Sequence, residues 1–107
     1  MDLEAAGLSV TVISEVYAEF SEGYQTTIGE KLAEVEGVNE VYFTMGDTDF
    51  IVISHLHDRS MVERLVEDFE RIDGIERTSS KFVIDPIKYP SFPIGDYSAK
   101  TLRKALN

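Results

Sequence analysis

Three places in this 107-residue chain hold residues whose types and spacing could do chemistry. The first is the break in "YFTMGDTDFIV" (Tyr42 to Val52), where Gly46-Asp47-Thr48-Asp49 separates two apolar runs. A D-x-D pair can hold magnesium or act as an acid/base couple. Neither use has a supporting nucleophile, phosphate loop or third ligand here. There is no G-x-G-x-x-G, no Walker loop and no serine in a nucleophile-elbow setting. Read as local structure, Gly46 is a left-handed turn residue, Asp47 and Thr48 form a solvated tip, and Asp49 bonds the turn's backbone amides. The second place is His55-x-His57, which on a strand puts both imidazoles on one side, as some metal sites begin. Asp49 and Asp58 lie near the ends of that strand. Asp49 is six residues from His55, roughly 20 Å along an extended chain, so the two cannot share an ion. The third is "RTSSKF", whose Thr78, Ser79 and Ser80 can pair across strands or bond a polar ligand. No catalytic constellation emerges, so the expectation is a protein that is not an enzyme and needs neither cofactor nor metal.

Composition narrows the partners. The 43% hydrophobic content is that of a globular chain of one domain. No apolar run approaches the roughly 20 residues of a membrane span, and the acidic start "MDLEAAGLSV" is unlike a secretory signal. With no cysteine, disulfides, zinc ribbons and thiol catalysis are excluded, and a cytoplasmic location is expected. The formal net charge is −10. Residues 1–58 hold 12 acidic residues and the single cation Lys31, whereas residues 59–107 hold 8 acidic and 9 basic. Such a chain repels phosphate backbones, so DNA is not expected as a direct partner. The absence of early cations also removes an anion-binding loop of the acylphosphatase kind.

Hydrophobic periodicity supplies the elements that must position these residues. "LSVTVISEVY" (Leu8 to Tyr17) reads as a strand, with Leu8, Val10, Val12, Ser14 and Val16 on one face. Tyr24, Ile28, Leu32 and Val35 recur at helical spacing, with Ser21 as the expected N-cap and Gly37 closing the helix. "VNEVYFTM" and "DFIVISHLH" form a hairpin around the acidic break. Asp58 or Ser60 caps a second helix whose stripe is Val62, Leu65, Phe69 and Ile72, closed by Gly74. "IERTSSKFVID" is a fourth strand, stopped by Pro86. The order β-α-β-β-α-β predicts an α+β, ferredoxin-like sandwich: a four-stranded antiparallel sheet with both helices on one face. Residues 1–88 make that domain. Residues 89–107 make a tail with a short helix expected over Asp96 to Leu106. The uncovered face would carry Ile13, Tyr17, Ile51, Ile53, His55 and His57. From strand two it would take either Tyr42 and Thr44 or Val41, Phe43 and Met45. It is too apolar to stay wet, so pairing of two copies through it, most simply as a two-fold dimer, is expected.

In this order the motifs resemble a known family. "VEGVNEVYFTMGDTDFIVISHLHD" followed by "IDGIERTSSKFVIDPIK" is similar to the effector (RAM) domain of Lrp/AsnC, or feast/famine, transcription regulators. The family pattern is an entry to strand two, then T/S-x-G-x-x-D and two apolar residues over the hairpin. A strand ending in Asp follows, then GV-x-x-T-x-T/S. Here these stand as Gly37-Val38, Thr44 to Ile51, Asp58, and Gly74 to Ser80. "GLSVTV" also resembles the family's entry to strand one. The resemblance covers about Gly7 to Lys88.

It implies an amino-acid or related small-molecule effector, and homodimers assembling into octamers with the effector at the contact between dimers. Carried over by position, Gly46 would allow close backbone approach and the amides around Asp47 and Thr48 would take the effector carboxylate. Asp49 would pair with its ammonium group. Thr44, Thr78 and Ser80 would be weaker polar contacts. The family's N-terminal helix-turn-helix has no counterpart in the few residues before strand one, so DNA would be reached only through a segment outside this chain. The chain reads as a stand-alone effector domain or an excised piece of a longer regulator. Two other readings share the topology. One is an ACT-like regulatory module, whose ligand-contacting glycine would be Gly23. The other is a small dimeric α+β barrel enzyme, with His55, His57 or Tyr17 lining a cavity.

Overall fold

The computed structural model describes residues 7–88 except Ser9. The short helix expected over Asp96 to Leu106 lies outside them. The described elements are β1 (Val10–Ala18), α1 (Tyr24–Ala33), β2 (Val38–Phe43), β3 (Phe50–Leu56), α2 (Met61–Glu70) and β4 (Ile75–Phe82). All strand pairs are antiparallel, and the order across the sheet is β2-β3-β1-β4. The β-α-β-β-α-β expectation is met.

Strand parity explains the layering. Val12, Val16, Phe50, Val52 and Leu56 are buried with Ile28 and Leu32 of α1 and Leu65 and Phe69 of α2 in one core. One set of alternate strand residues meets both helices, so both helices cover the same face. Each large side chain in that core contributes about 1.5–3 kcal/mol by leaving water. The opposite parity stays open: Ile13 and Tyr42 are exposed, and Ile51, Ile53 and His55 are half-buried. Pairing of Tyr42 with Ile51, and of Val41 with Val52, places Tyr42 on the open face and turns Val41 and Phe43 toward the helices.

Several local details differ from the sequence reading. α1 begins after Gly23, which sits at the N-cap with φ +78°. Ser21 lies two residues too early to cap with its hydroxyl, and instead its carbonyl accepts the Tyr24 amide at 3.1 Å. At α2 the capping oxygen is that of Asp58, one of the two residues expected there: its Oδ1 accepts the Ser60 amide at 2.8 Å and also the Ser60 hydroxyl. β2 ends at Phe43, two residues short of the expected Met45, because the chain turns there to close the hairpin. β4 ends at Phe82, ahead of Pro86. Gly37, at φ +93°, crosses Leu56 so closely that an added Cβ would meet Leu56 Cδ2 at 2.5 Å. A side chain there would be strained by the backbone and would have to push the Leu56 methyl aside.

Candidate functional site

The hairpin tip is closed at its base by the Thr44 amide donating to the Asp49 carbonyl at 2.9 Å. The Thr44 hydroxyl donates to the Thr48 carbonyl at 2.5 Å, tying the loop across itself. Gly46 holds φ +133°, a conformation that side chains rarely adopt, and nothing lies within 4 Å of where a Cβ would stand. The space on that side of Gly46 is therefore open. The amides of Gly46, Asp47 and Thr48 donate to no group among the described residues. Asp47 is exposed, whereas Asp49 is half-buried.

The two aspartates differ in what holds them. The Asp49 amide donates to the Val16 carbonyl at 3.1 Å. Its Oδ2 accepts the Ala18 amide at 2.8 Å, and its Oδ1 accepts the Tyr24 hydroxyl at 3.3 Å. The carboxylate thus ties the hairpin to the end of β1 and the start of α1. A carboxylate offers about four acceptor sites, so two remain. The Tyr24 hydroxyl has its pKa raised, by burial first and then by the charge of Asp49 and the hydrogen bond to it. On the open face, the Thr48 hydroxyl donates to the Tyr17 hydroxyl at 3.5 Å, and the Arg77 guanidinium lies 4.0 Å from the Tyr17 ring centre. Ala18 and Arg77 carry no signal in their spacing, whereas Tyr24 lies on the helical stripe and Tyr17 is an open-face residue by strand parity.

The structure brings together Thr44, Gly46, Asp47, Thr48 and Asp49, but not Thr78 and Ser80. Register places Thr78 beside Val16 and Ser80 beside Ser14, on the side the helices cover. Phe50 flanks Val16 on its other side, so Thr78 is two strands, about 10 Å, from the base of the hairpin. The hydroxyls of Ser80 and Ser14 share a hydrogen bond at 2.8 Å.

The histidines sit at the far end of β3 from the tip. The His55 Nδ1 shares a hydrogen bond with the Thr11 hydroxyl at 3.1 Å, and the His57 Nδ1 donates to the Gly7 carbonyl at 2.7 Å. Among the described residues no three His, Cys, Asp or Glu side chains cluster as a metal site would require. No helix among them is long and apolar enough to cross a membrane.

Comparison with known proteins gives this geometry a context. Residues 11–91 match the model of the Lrp/AsnC ligand binding domain. An uncharacterised HTH-type transcriptional regulator of Pyrococcus horikoshii is 28% identical over 95 residues, which cover 82% of this chain and 58% of the relative. The HTH-type transcriptional regulator LysM of Saccharolobus solfataricus is 32% identical over 57 residues, or 53% of this chain and 40% of that protein. The chain therefore spans about half the length of these relatives. Among solved structures, a Neisseria meningitidis transcriptional regulator in complex with L-methionine superposes with a TM-score of 0.74 at 18% identity, over 83% of this chain and 58% of that one. Escherichia coli AsnC superposes with the same TM-score at 17% identity, over 85% and 61%. These likenesses are of fold. The matched family model covers most of the chain, and the chain belongs to the Lrp/AsnC ligand-binding domain family.

Proposed function

We propose that this chain is the effector-binding and oligomerisation domain of an Lrp/AsnC-type transcriptional regulator, and that its effector is an amino acid held at the hairpin tip. The observation that carries the reading is the pairing of unlike groups there. The amides of Gly46, Asp47 and Thr48 are undonated, and the Asp49 carboxylate beside them has acceptor sites to spare. An α-amino acid presents the complement, a carboxylate for the amides and an ammonium for Asp49. The L-methionine complex of the Neisseria relative is in keeping with an effector of this type. In this reading Thr44 shapes the loop. Thr78 and Ser80, turned toward the helices, serve the core.

Dimerisation through the open sheet face, and further assembly into octamers, belong to the same proposal. The support is the face itself, with Ile13 and Tyr42 exposed and Ile51 and Ile53 half-buried. The domain's role is regulatory, without turnover, and DNA is contacted only through a helix-turn-helix on another segment. A thermal-shift screen of the common amino acids, read beside mass by light scattering, tests this. At a hundredfold excess over the dissociation constant, a true effector stabilises by about 2.7 kcal/mol. For a domain of this size that raises Tm by roughly 10 °C or more. A monomer whose Tm no amino acid moves would overturn the proposal.

A further inference from the structure

We infer that the effector is a neutral amino acid with an apolar side chain, which lies on an aromatic wall running from Phe20 through Tyr24 to Phe43. The inference rests on the effector reading above and adds what the site selects. Tyr24 joins the two parts, because its hydroxyl bonds Asp49 while its ring packs edge-on against Phe43 and Phe50, at 5.7 and 6.4 Å between centres. Phe20 extends the wall from the other side, with its ring centre 5.5 Å from that of Tyr24. An ammonium held at Asp49 therefore has this wall beside it. The wall is open to solvent: Phe20 is 86% exposed, and Met45 at the adjacent tip is fully so. Beyond Tyr24 the wall leads into a groove of about 340 Å³ between α1 and β2, floored by Val41, Phe43 and Phe50. That volume lies at the small end of ligand sites and leaves room for an amino-acid side chain.

Charge removes the acidic candidates. Glu19, Glu22, Glu30 and Asp47 surround the wall in sequence, and Lys31 is the only cation in the first 58 residues. A second carboxylate on the effector would meet repulsion there, because the Arg77 guanidinium beside the tip is stacked on Tyr17 on the open face, across the sheet from the wall. Ring geometry argues against a cationic side chain. A cation is held by aromatic faces turned toward one point, whereas here Tyr24, Phe43 and Phe50 pack edge-to-face against one another and the exposed Phe20 ring is tilted 59° from that of Tyr24, so no two open faces converge. What the wall offers is apolar area.

The test is isothermal titration of the chain with L-methionine, L-leucine, L-phenylalanine, glycine, L-lysine and L-glutamate, repeated on Phe20→Ala. Phe20 is exposed enough that its loss leaves the fold intact. The three apolar amino acids are expected to bind at least tenfold tighter than the others. Phe20→Ala is expected to weaken them about five- to tenfold while leaving glycine unchanged. Lysine or glutamate binding as tightly as methionine, or a preference untouched by Phe20→Ala, would overturn the apolar wall and leave the effector reading standing. If none of the six binds, the apolar wall falls, and the thermal-shift screen of all the common amino acids decides the effector reading.

Discussion

Replacing Asp49 by asparagine and by alanine separates the two tasks its carboxylate performs. In alanine the Ala18 amide loses a charged acceptor at 2.8 Å, and the Tyr24 hydroxyl loses a longer bond at 3.3 Å. Both bonds run to the same charged carboxylate, where a good hydrogen bond contributes about 1.5–3 kcal/mol and the long one to Tyr24 falls at the bottom of that range or below it. Both sites are only part-buried and water can replace some of this, so the expected cost is about 2 kcal/mol. That corresponds to a Tm fall on the order of 10 °C. Asparagine keeps an oxygen for the Ala18 amide and an NH₂ that can donate to the Tyr24 hydroxyl, so it is expected to cost less than about 1 kcal/mol. What asparagine cannot keep is the charge. Exchanging a charge-assisted bond to the effector ammonium for a neutral one removes about 1–2 kcal/mol, a five- to thirtyfold loss of affinity. Urea melts supply the stabilities and titration calorimetry the affinities. Wild-type effector affinity in Asp49→Asn would refute the ammonium assignment, and wild-type stability in Asp49→Ala would refute the clamp.

Other perturbations are read more simply. The Ser54 hydroxyl is buried without a hydrogen-bond partner, so Ser54→Ala is expected to be neutral or slightly stabilising in urea melts; a loss above about 1 kcal/mol would mean the hydroxyl is satisfied. The Asp58 carboxyl is held below its ordinary range by hydrogen bonds from the Ser60 side chain, then the Ser60 amide. Its folded pKa is depressed, so its contribution is present above the unfolded pKa and is lost as pH falls through the folded one. Asp58→Asn is therefore expected to shallow the acid limb of the stability curve, and parallel limbs would contradict the bond. Ile53→Glu puts a charge on the half-buried open face without touching the core, and is expected to lower the mass seen by light scattering while circular dichroism is unchanged. Unaltered assembly would place the interface elsewhere.

The fold was legible because its signals are local. The stripes Ile28–Leu32 and Leu65–Phe69 and the alternation along β1 and β3 each sit within one element, and each is buried as its period requires. The face of β2 was left open, because its pairing with β3 shifts between Val38 and Glu40 and no period within six residues reveals a bulge. The site was legible only in part. That Asp47 and Asp49 differ could be read from their places at the tip and the strand end. That Asp49 already holds the Ala18 amide could not, because the contact spans 31 residues and depends on how β1 meets the hairpin. Thr78 and Ser80 are hydroxyls in a strand, and parity alone leaves the face open. Only their register with Val16 and Ser14 turns them under the helices.

Hydrogen exchange with and without saturating L-methionine tests the central claim most directly, because it locates the effector whatever the size of the assembly. Slowed exchange is predicted in the peptides spanning residues 44–50 and 18–24, where the free amides and the Asp49 clamp lie. Unchanged exchange there, or protection confined to residues 36–39 and 55–57 at the far end of β3, would contradict an effector site at the hairpin tip.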